Sequence, residues 1–173
     1  VIPENLSLLS LIEYEKGLGI GAALPQEEIV NPLGKVLSDA GKVQLRLAET
    51  QKYAYVTTLF NGMVNKPFPN EYRVVISSRE EARVDEYPEM RVGEVGSRIL
   101  SALNEGIYDF FLGDFGNADA VAHTGNFDAT MKAITAIDEQ VGLIAKAALA
   151  SGSALIITSD HGNAEVMMDL KTG

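Results

Sequence analysis

Two acid–histidine pairs are the residues of this chain best suited to chemistry. Asp160 and His161 directly follow the apolar run 155–157, and Asp119 and His123 follow another apolar segment, residues 108–115. The chain has only two histidines, and each has an aspartate close by. A carboxylate oxygen beside an imidazole nitrogen suits Mn, Zn or Fe better than Ca. A strand followed by a polar turn is the alternative for each pair taken alone, but two such pairs favour a binuclear metal site.

The elements around these pairs predict how they are positioned. Segments 108–115 and 155–159 have the composition of buried parallel strands, and residues 126–150 have a helical apolar stripe. Asn126 or Thr124 could cap this helix. Strand, loop, helix and strand form a right-handed βαβ unit. Because sites in open α/β sheets collect beyond the carboxyl ends of the strands, we expect both pairs at one sheet edge.

The rest of the chain also alternates between strands and helices. We predict strands over 6–14, 43–48 and 72–76, and helices over 32–40 and 92–105. Asn31 and Pro32 indicate the first helix start and Gly41 its end, whereas residues 50–61 are ambiguous. The glycine-rich stretch from Gly17 to Pro25 is interpreted as a connector and a hinge.

Composition limits the class of protein. The 173 residues carry a net charge of −10, with 46% hydrophobic and 22% charged residues, which is typical of a soluble globular domain. The negative charge argues against nucleic acid as a partner. The absence of a long apolar run or a signal sequence predicts a cytoplasmic protein without membrane contact. With no cysteine, any metal is held by oxygen and nitrogen ligands.

Several motifs, in order, resemble cofactor-independent phosphoglycerate mutase of the alkaline phosphatase superfamily. They are Leu47-Ala48-Glu49-Thr50-Gln51-Lys52-Tyr53-Ala54-Tyr55-Val56-Thr57, Pro88-Glu89-Met90, Asn117-Ala118-Asp119-Ala120-Val121-Ala122-His123-Thr124-Gly125 and Thr158-Ser159-Asp160-His161-Gly162-Asn163-Ala164-Glu165. The similarity extends over nearly the whole chain. The resemblance implies an α/β three-layer sandwich with a mostly parallel sheet, present here as a fragment.

The resemblance also implies roles for particular residues. Asp119 and His123 would ligate one ion and Asp160 and His161 a second, with two Mn²⁺ expected, Mg²⁺, Co²⁺ or Zn²⁺ as alternatives, and no organic cofactor. Lys52 would bind the substrate phosphate. The family interconverts 3-phosphoglycerate and 2-phosphoglycerate through a phosphoserine, which makes it an isomerase of glycolysis and gluconeogenesis.

The chain departs from the family in length and in two residues beside Lys52. It resembles roughly the last third to two-fifths of the family protein, so we expect residues 1–26 to be the end of the inserted phosphotransferase domain with its return hinge, and residues 27–173 to be an incomplete phosphatase-like domain. No serine has the family's nucleophile context, which predicts an inactive fragment. Gln51 and Tyr55 replace the usual Glu and His.

The sequence is also compatible with other functions and with self-association. The parent would be a monomer, but the open sheet edge of a fragment could self-associate. A sister phosphomutase or phosphatase would share Asp160 and His161 without the surroundings of Lys52. A truncated, inactive paralogue would act only as a binding domain, and an acidic α/β domain with two chance pairs is the remaining alternative.

Overall fold

A computed structural model describes residues 5–12, 19–24, 29–79 and 83–169. The chain divides into two compact units, Val1–Val30 and Asn31–Gly173. The first contains a short parallel pair, β1 (Leu9–Ser10) and β2 (Gly21–Ala22). β1 lies inside the strand predicted over 6–14, whose last two residues are outside the described part. The predicted connector, at residues 17–25, and the boundary between residues 26 and 27 also fall partly or wholly outside it.

The second unit is built on a parallel three-stranded sheet. Its strands are β3 (Gln44–Glu49), β4 (Glu71–Ile76) and β5 (Phe110–Asp114), in the order β4-β3-β5. The register places Leu45 beside Tyr72 and Phe111. The predicted strands at 43–48, 72–76 and 108–115 therefore all form, with slightly different ends.

Helices cover both faces of this sheet. They are α1 (Leu33–Asp39), α2 (Val92–Glu105), α3 (Asn117–Ala122) and α4 (Phe127–Ala150). Residues 50–59, ambiguous in sequence, form a helical stretch that ends in a π-helical segment, Tyr55–Leu59. The predicted three-layer α/β arrangement is confirmed. In the described part of the chain, no helix is long and apolar enough to cross a membrane.

The central strand β3 is buried along its whole length, and its two faces differ. Leu45 and Leu47 join the core cluster that α2 and α4 cover, which includes Val95, Ile99 and Ile144. Each fully buried side chain of this kind stabilises the fold by about 1.5–3 kcal/mol. The apolar face therefore holds α2 and α4 against the sheet.

The opposite face of β3 is polar yet equally buried. The Arg46 guanidinium lies 4.4 Å from the ring centroid of Phe60 and 4.9 Å from that of Phe110, and it donates to Gln44 Oε1 at 2.6 Å. Burial lowers the pKa of Arg46 to about 10, with Glu71 opposing and Arg73 adding to the shift. Arg46 has no exposed surface, because the aromatic rings replace solvent around its guanidinium.

Helix ends agree with the sequence in three of four cases. The Asn126 side chain accepts from the Ala129 amide at 3.1 Å and caps α4, while Gly106 ends α2 and Gly41 follows α1, both with positive φ. The prediction that Asn31 caps α1 and that Pro32 is its first residue is wrong. Pro32 has ψ 154° and is itself the residue before the helix, because its extended ψ keeps it outside the helical turn.

The strand predicted over residues 155–159 does not form. These residues join no ladder in the described part of the chain, and Ile156 and Ile157 are 86% and 67% exposed. The predicted βαβ unit therefore lacks its second strand. An apolar β-branched run becomes a strand only when a neighbouring strand accepts its backbone hydrogen bonds, and none of the described strands lies against it.

The close contact between α1 and β3 yields a stability prediction. A Cβ at Gly34 would lie 2.5 Å from Asn61 Oδ1 and 3.0 Å from Arg46 Nη2. We expect Gly34→Ala to destabilise the fold by about 1–3 kcal/mol through overpacking, as measured by urea unfolding. Gly93→Ala in α2, where a Cβ meets nothing within 4 Å, is the control and should be neutral or stabilising by up to about 1 kcal/mol. Equal effects of the two substitutions would contradict this packing.

Candidate metal and phosphate site

The carboxylate of Asp119 is the meeting point of three polar side chains. Lys52 donates to Oδ2 at 2.7 Å. Asn163 Nδ2 donates to Oδ1 at 2.7 Å, and His123 Nε2 lies 3.2 Å from the same oxygen. The two donors, Lys52 and Asn163, come from distant segments of the chain, so these segments converge at Asp119.

Local structure explains how Asp119 and His123 pair. Asp119 lies in α3, and His123 continues its helical backbone with φ −60°. The His123 amide donates to the Asp119 carbonyl at 3.1 Å, so the two side chains, four residues apart, share one helix face. The helical backbone brings the two side chains to a separation of 3.2 Å.

Lys52 reaches Asp119 from the short helical turn Thr50–Lys52 that follows β3. Its stem crosses the backbone of Gly116, where a Cβ would lie 2.4 Å from Lys52 Cγ. The ammonium is 4.7 Å from the ring centroid of Tyr55, so the residue that departs from the family pattern contacts Lys52 directly. Lys52 itself is 9% exposed, which sets it apart from a solvated surface lysine.

Asp160 and His161 lie in an exposed turn beside this cluster. Their side chains are 3.6 Å apart, His161 Nε2 to Asp160 Oδ2. Burial raises the pKa of Asp114, at the end of β5; Lys52 opposes that rise, and Asp160 and Asp119 add to it. The hydrogen bond from Asn163 to Asp119 places the turn that carries Asp160 and His161 next to the other pair.

The groups around Asp119 oppose the effect of burial on its pKa. Burial raises the pKa of Asp119, but hydrogen bonds from Lys52 and Asn163 outweigh it, so the pKa lies below its ordinary value of 3.8. Burial likewise lowers the pKa of Lys52, and the hydrogen bond and charge of Asp119 reverse this, so the pKa lies above 10.5. At neutral pH the contact is therefore an ion pair.

Sequence reasoning missed two residues of this site, Asp114 and Asn163. Asp114 is the last residue of β5, a predicted strand, so its position at the carboxyl end of that strand could have identified it as a site residue. Asn163 stands within a quoted motif, but nothing in its spacing indicates that its amide reaches Asp119. Within the described residues, no three His, Asp or Glu side chains are grouped closely enough to hold one metal ion.

Comparison with known proteins identifies the family of this chain. The sequence matches the Metalloenzyme superfamily over residues 5–172. The chain belongs to this superfamily. Among metalloenzyme relatives, a 2,3-bisphosphoglycerate-independent phosphoglycerate mutase of Shewanella sp. (strain ANA-3) is 41% identical over 99% of this chain and 34% of its own length. The Shewanella amazonensis enzyme of the same name is 44% identical over 94% of the chain and 32% of its length.

A solved structure supports the same assignment. The crystal structure of Leishmania mexicana phosphoglycerate mutase at low cobalt concentration superposes with a TM-score of 0.82 and 27% identity. It covers 90% of this chain, which corresponds to 29% of the Leishmania chain. The metalloenzyme chain described here thus spans about a third of the length of the curated relatives that it matches.

The Lys52–Asp119 pair yields a prediction about stability and pH. In a double-mutant cycle with Lys52→Met and Asp119→Asn, we expect a coupling free energy of about 1 kcal/mol at pH 7. The contribution of Asp119 is present above 3.8 and is lost as the pH falls through its lower folded-state pKa. That of Lys52 is present below 10.5 and is lost as the pH rises through its higher folded-state pKa.

Urea unfolding at several pH values measures this coupling. The control is the same cycle on the exposed pair of α1, Lys35 and Asp39, where about 0.3–0.5 kcal/mol is expected. A Lys52–Asp119 coupling no larger than the control would show that the two groups do not pair in solution, and one that does not fall between pH 7 and strongly acidic pH would show that it is not an ion pair.

Proposed function

We propose that this chain is the metal-binding part of a 2,3-bisphosphoglycerate-independent phosphoglycerate mutase. Such an isomerase converts 3-phosphoglycerate to 2-phosphoglycerate through a phosphoserine. The observation that carries the proposal is the set of contacts on Asp119: Lys52 and His123 lie against it, and Asn163 ties to it the turn that carries Asp160 and His161. The chain is also 41% identical to such a mutase over 99% of its length.

The donor groups fit divalent ions. We assign Asp119 and His123 to one ion and Asp160 and His161 to a second, because each pair holds a carboxylate oxygen and an imidazole nitrogen within 3.2 Å and 3.6 Å of each other. Oxygen and nitrogen donors suit Mn²⁺, with Co²⁺, Zn²⁺ or Mg²⁺ as alternatives. When bound, such ions neutralise a transferring phosphoryl group and activate a hydroxyl. Their remaining ligands would come from outside the described residues.

Lys52 has the properties of a phosphate-binding residue. Its ammonium is a compact positive charge, and its raised pKa keeps it protonated at neutral pH. Gly116 and Tyr55 restrict its stem and head, so a phosphate oxygen would meet a charge that is already oriented. This preorganisation reduces the cost of binding, because little side-chain freedom is left to lose.

The remaining parts of the enzyme are assigned to the longer protein. We propose that the nucleophilic serine lies outside this chain, that residues 1–26 end an inserted phosphotransferase domain, and that residues 27–173 form the phosphatase-like domain. The parent would be a cytoplasmic monomer acting on a small phosphoglycerate, with no nucleic-acid or membrane partner and no organic cofactor. The chain alone would not turn over.

A primer-free mutase assay tests this proposal. The full polypeptide that carries this chain should convert 3-phosphoglycerate to 2-phosphoglycerate without bisphosphoglycerate, lose that activity after chelation and regain it with Mn²⁺. Asp160→Ala and His161→Ala should each abolish the Mn²⁺-dependent activity, and Asn104→Ala, on an exposed position of α2, should not. Mn²⁺-dependent release of phosphate from other esters would instead indicate a sister phosphatase, and no metal-dependent activity an inactive paralogue.

The exposed apolar run yields a second prediction. In the described part of the chain, β5 pairs only with β3, and Ile156 and Ile157 are largely exposed. We expect the isolated 173-residue chain to self-associate through these surfaces, so that its apparent mass in sedimentation rises with concentration. The Ile156→Lys and Ile157→Lys double variant should sediment as a monomer, and a wild-type monomer at high concentration would contradict the prediction.

A further inference from the structure

Asn163 makes the hydrogen bonds that join the last described segment to the rest of the domain. Its side-chain Nδ2 donates to Asp119 Oδ1 at 2.7 Å and to the Asp119 carbonyl at 3.4 Å. Other hydrogen bonds from residues 154–168 to described residues stay within that segment. Both partners on Asp119 are acceptors, so the amide nitrogen, and not its oxygen, must face them.

Residues 154–168 form no helix or strand that could position them. Residues 154–158 pair with no described strand, and Ile156 is 86% exposed. Asp160 and His161, the proposed ligands of the second ion, are themselves 56% and 46% exposed at their side chains. Their location relative to Asp119 is therefore set by what holds the turn that follows them.

A tight turn orients Asn163 for this role. Its backbone amide donates to Glu165 Oε2 at 2.7 Å, and its carbonyl accepts from the Val166 amide at 3.3 Å. A Cβ at Gly162 would lie 2.1 Å from Glu165 Oε1, so a larger residue there would displace the Glu165 side chain. The Asn163 side chain thus leaves a constrained backbone in the direction of Asp119.

We propose that Asn163 is a positioning residue whose amide holds the Asp160–His161 turn against Asp119 and so sets the separation between the two ligand pairs. This inference rests on the proposed metal-dependent function. A neutral amide suits the role because it ties the turn to the Asp119 carboxylate without cancelling its charge, whereas a second ammonium there would compete with a cation. Groups that orient ligands in this way change metal affinity by about 10–100-fold when they are removed.

Titration with Mn²⁺ tests the inference on the full polypeptide that carries this chain. Free Mn²⁺ is counted by electron paramagnetic resonance in the wild type, Asn163→Ala, Asn163→Asp and the exposed control Asn104→Ala. We expect the wild type and the control to bind two ions. Asn163→Ala and Asn163→Asp should keep the ion at Asp119 and His123 within about threefold and bind the ion at Asp160 and His161 about 10–100-fold more weakly.

Two results would overturn the inference. One is unchanged affinity for both ions in Asn163→Ala and Asn163→Asp. The other is equal weakening of both ions, since a merely structural loss would affect the two pairs alike; thermal unfolding midpoints, compared with those of the control, show whether the fold is intact.

Failure of the proposed function gives a different result. If the wild type binds no Mn²⁺, the metal assignment fails, and hydrogen exchange without metal then decides the role of Asn163. Asn163→Ala should speed exchange of the amides in 159–166 by about tenfold, because their tie to the domain is lost, and leave α2 and α4 unchanged. Exchange as slow as in the wild type would overturn the role of Asn163 as a tie.

Discussion

The site depends on the contacts of one carboxylate, that of Asp119. Lys52, His123 and Asn163 come from the end of β3, the end of α3 and the last described segment, and each contacts this group. Its burial alone would favour the neutral acid, and the donors reverse that preference. Because Lys52 and Asn163 come from distant parts of the chain, this set of contacts forms only when those parts pack against α3.

The central strand β3 places Lys52 where it can reach this carboxylate. Both faces of β3 are buried, one by leucines against α2 and the other by Arg46 between two aromatic rings. Such a strand cannot shift its register without moving its leucines out of the core. The short helical turn that follows therefore starts from a fixed point, and Gly116 lets the stem of Lys52 pass.

The last apolar run shows the limit of a sequence pattern. Leu155 to Ile157 have the composition of a buried strand, but Ile156 and Ile157 are exposed and unpaired in the described structure. An apolar composition indicates that a segment can be buried. A β-strand also needs a neighbouring strand whose backbone groups are free to form hydrogen bonds with it. The turn that carries Asp160 and His161 is consequently held by the side chain of Asn163 instead of by the sheet.

The sequence by itself determined the features that depend on near neighbours. The α/β order, the strands near 43–48, 72–76 and 108–115 and the glycine that follows α1 depend on spacings of a few residues and on local backbone preferences. Only the tertiary structure decided that Asp119 pairs with Lys52, which is 67 positions away, and with Asn163, which is 44 positions away. It also decided that the charges of Lys52 and Asp119 act on Asp114. These contacts depend on how strands and helices pack, and no local periodicity encodes that packing.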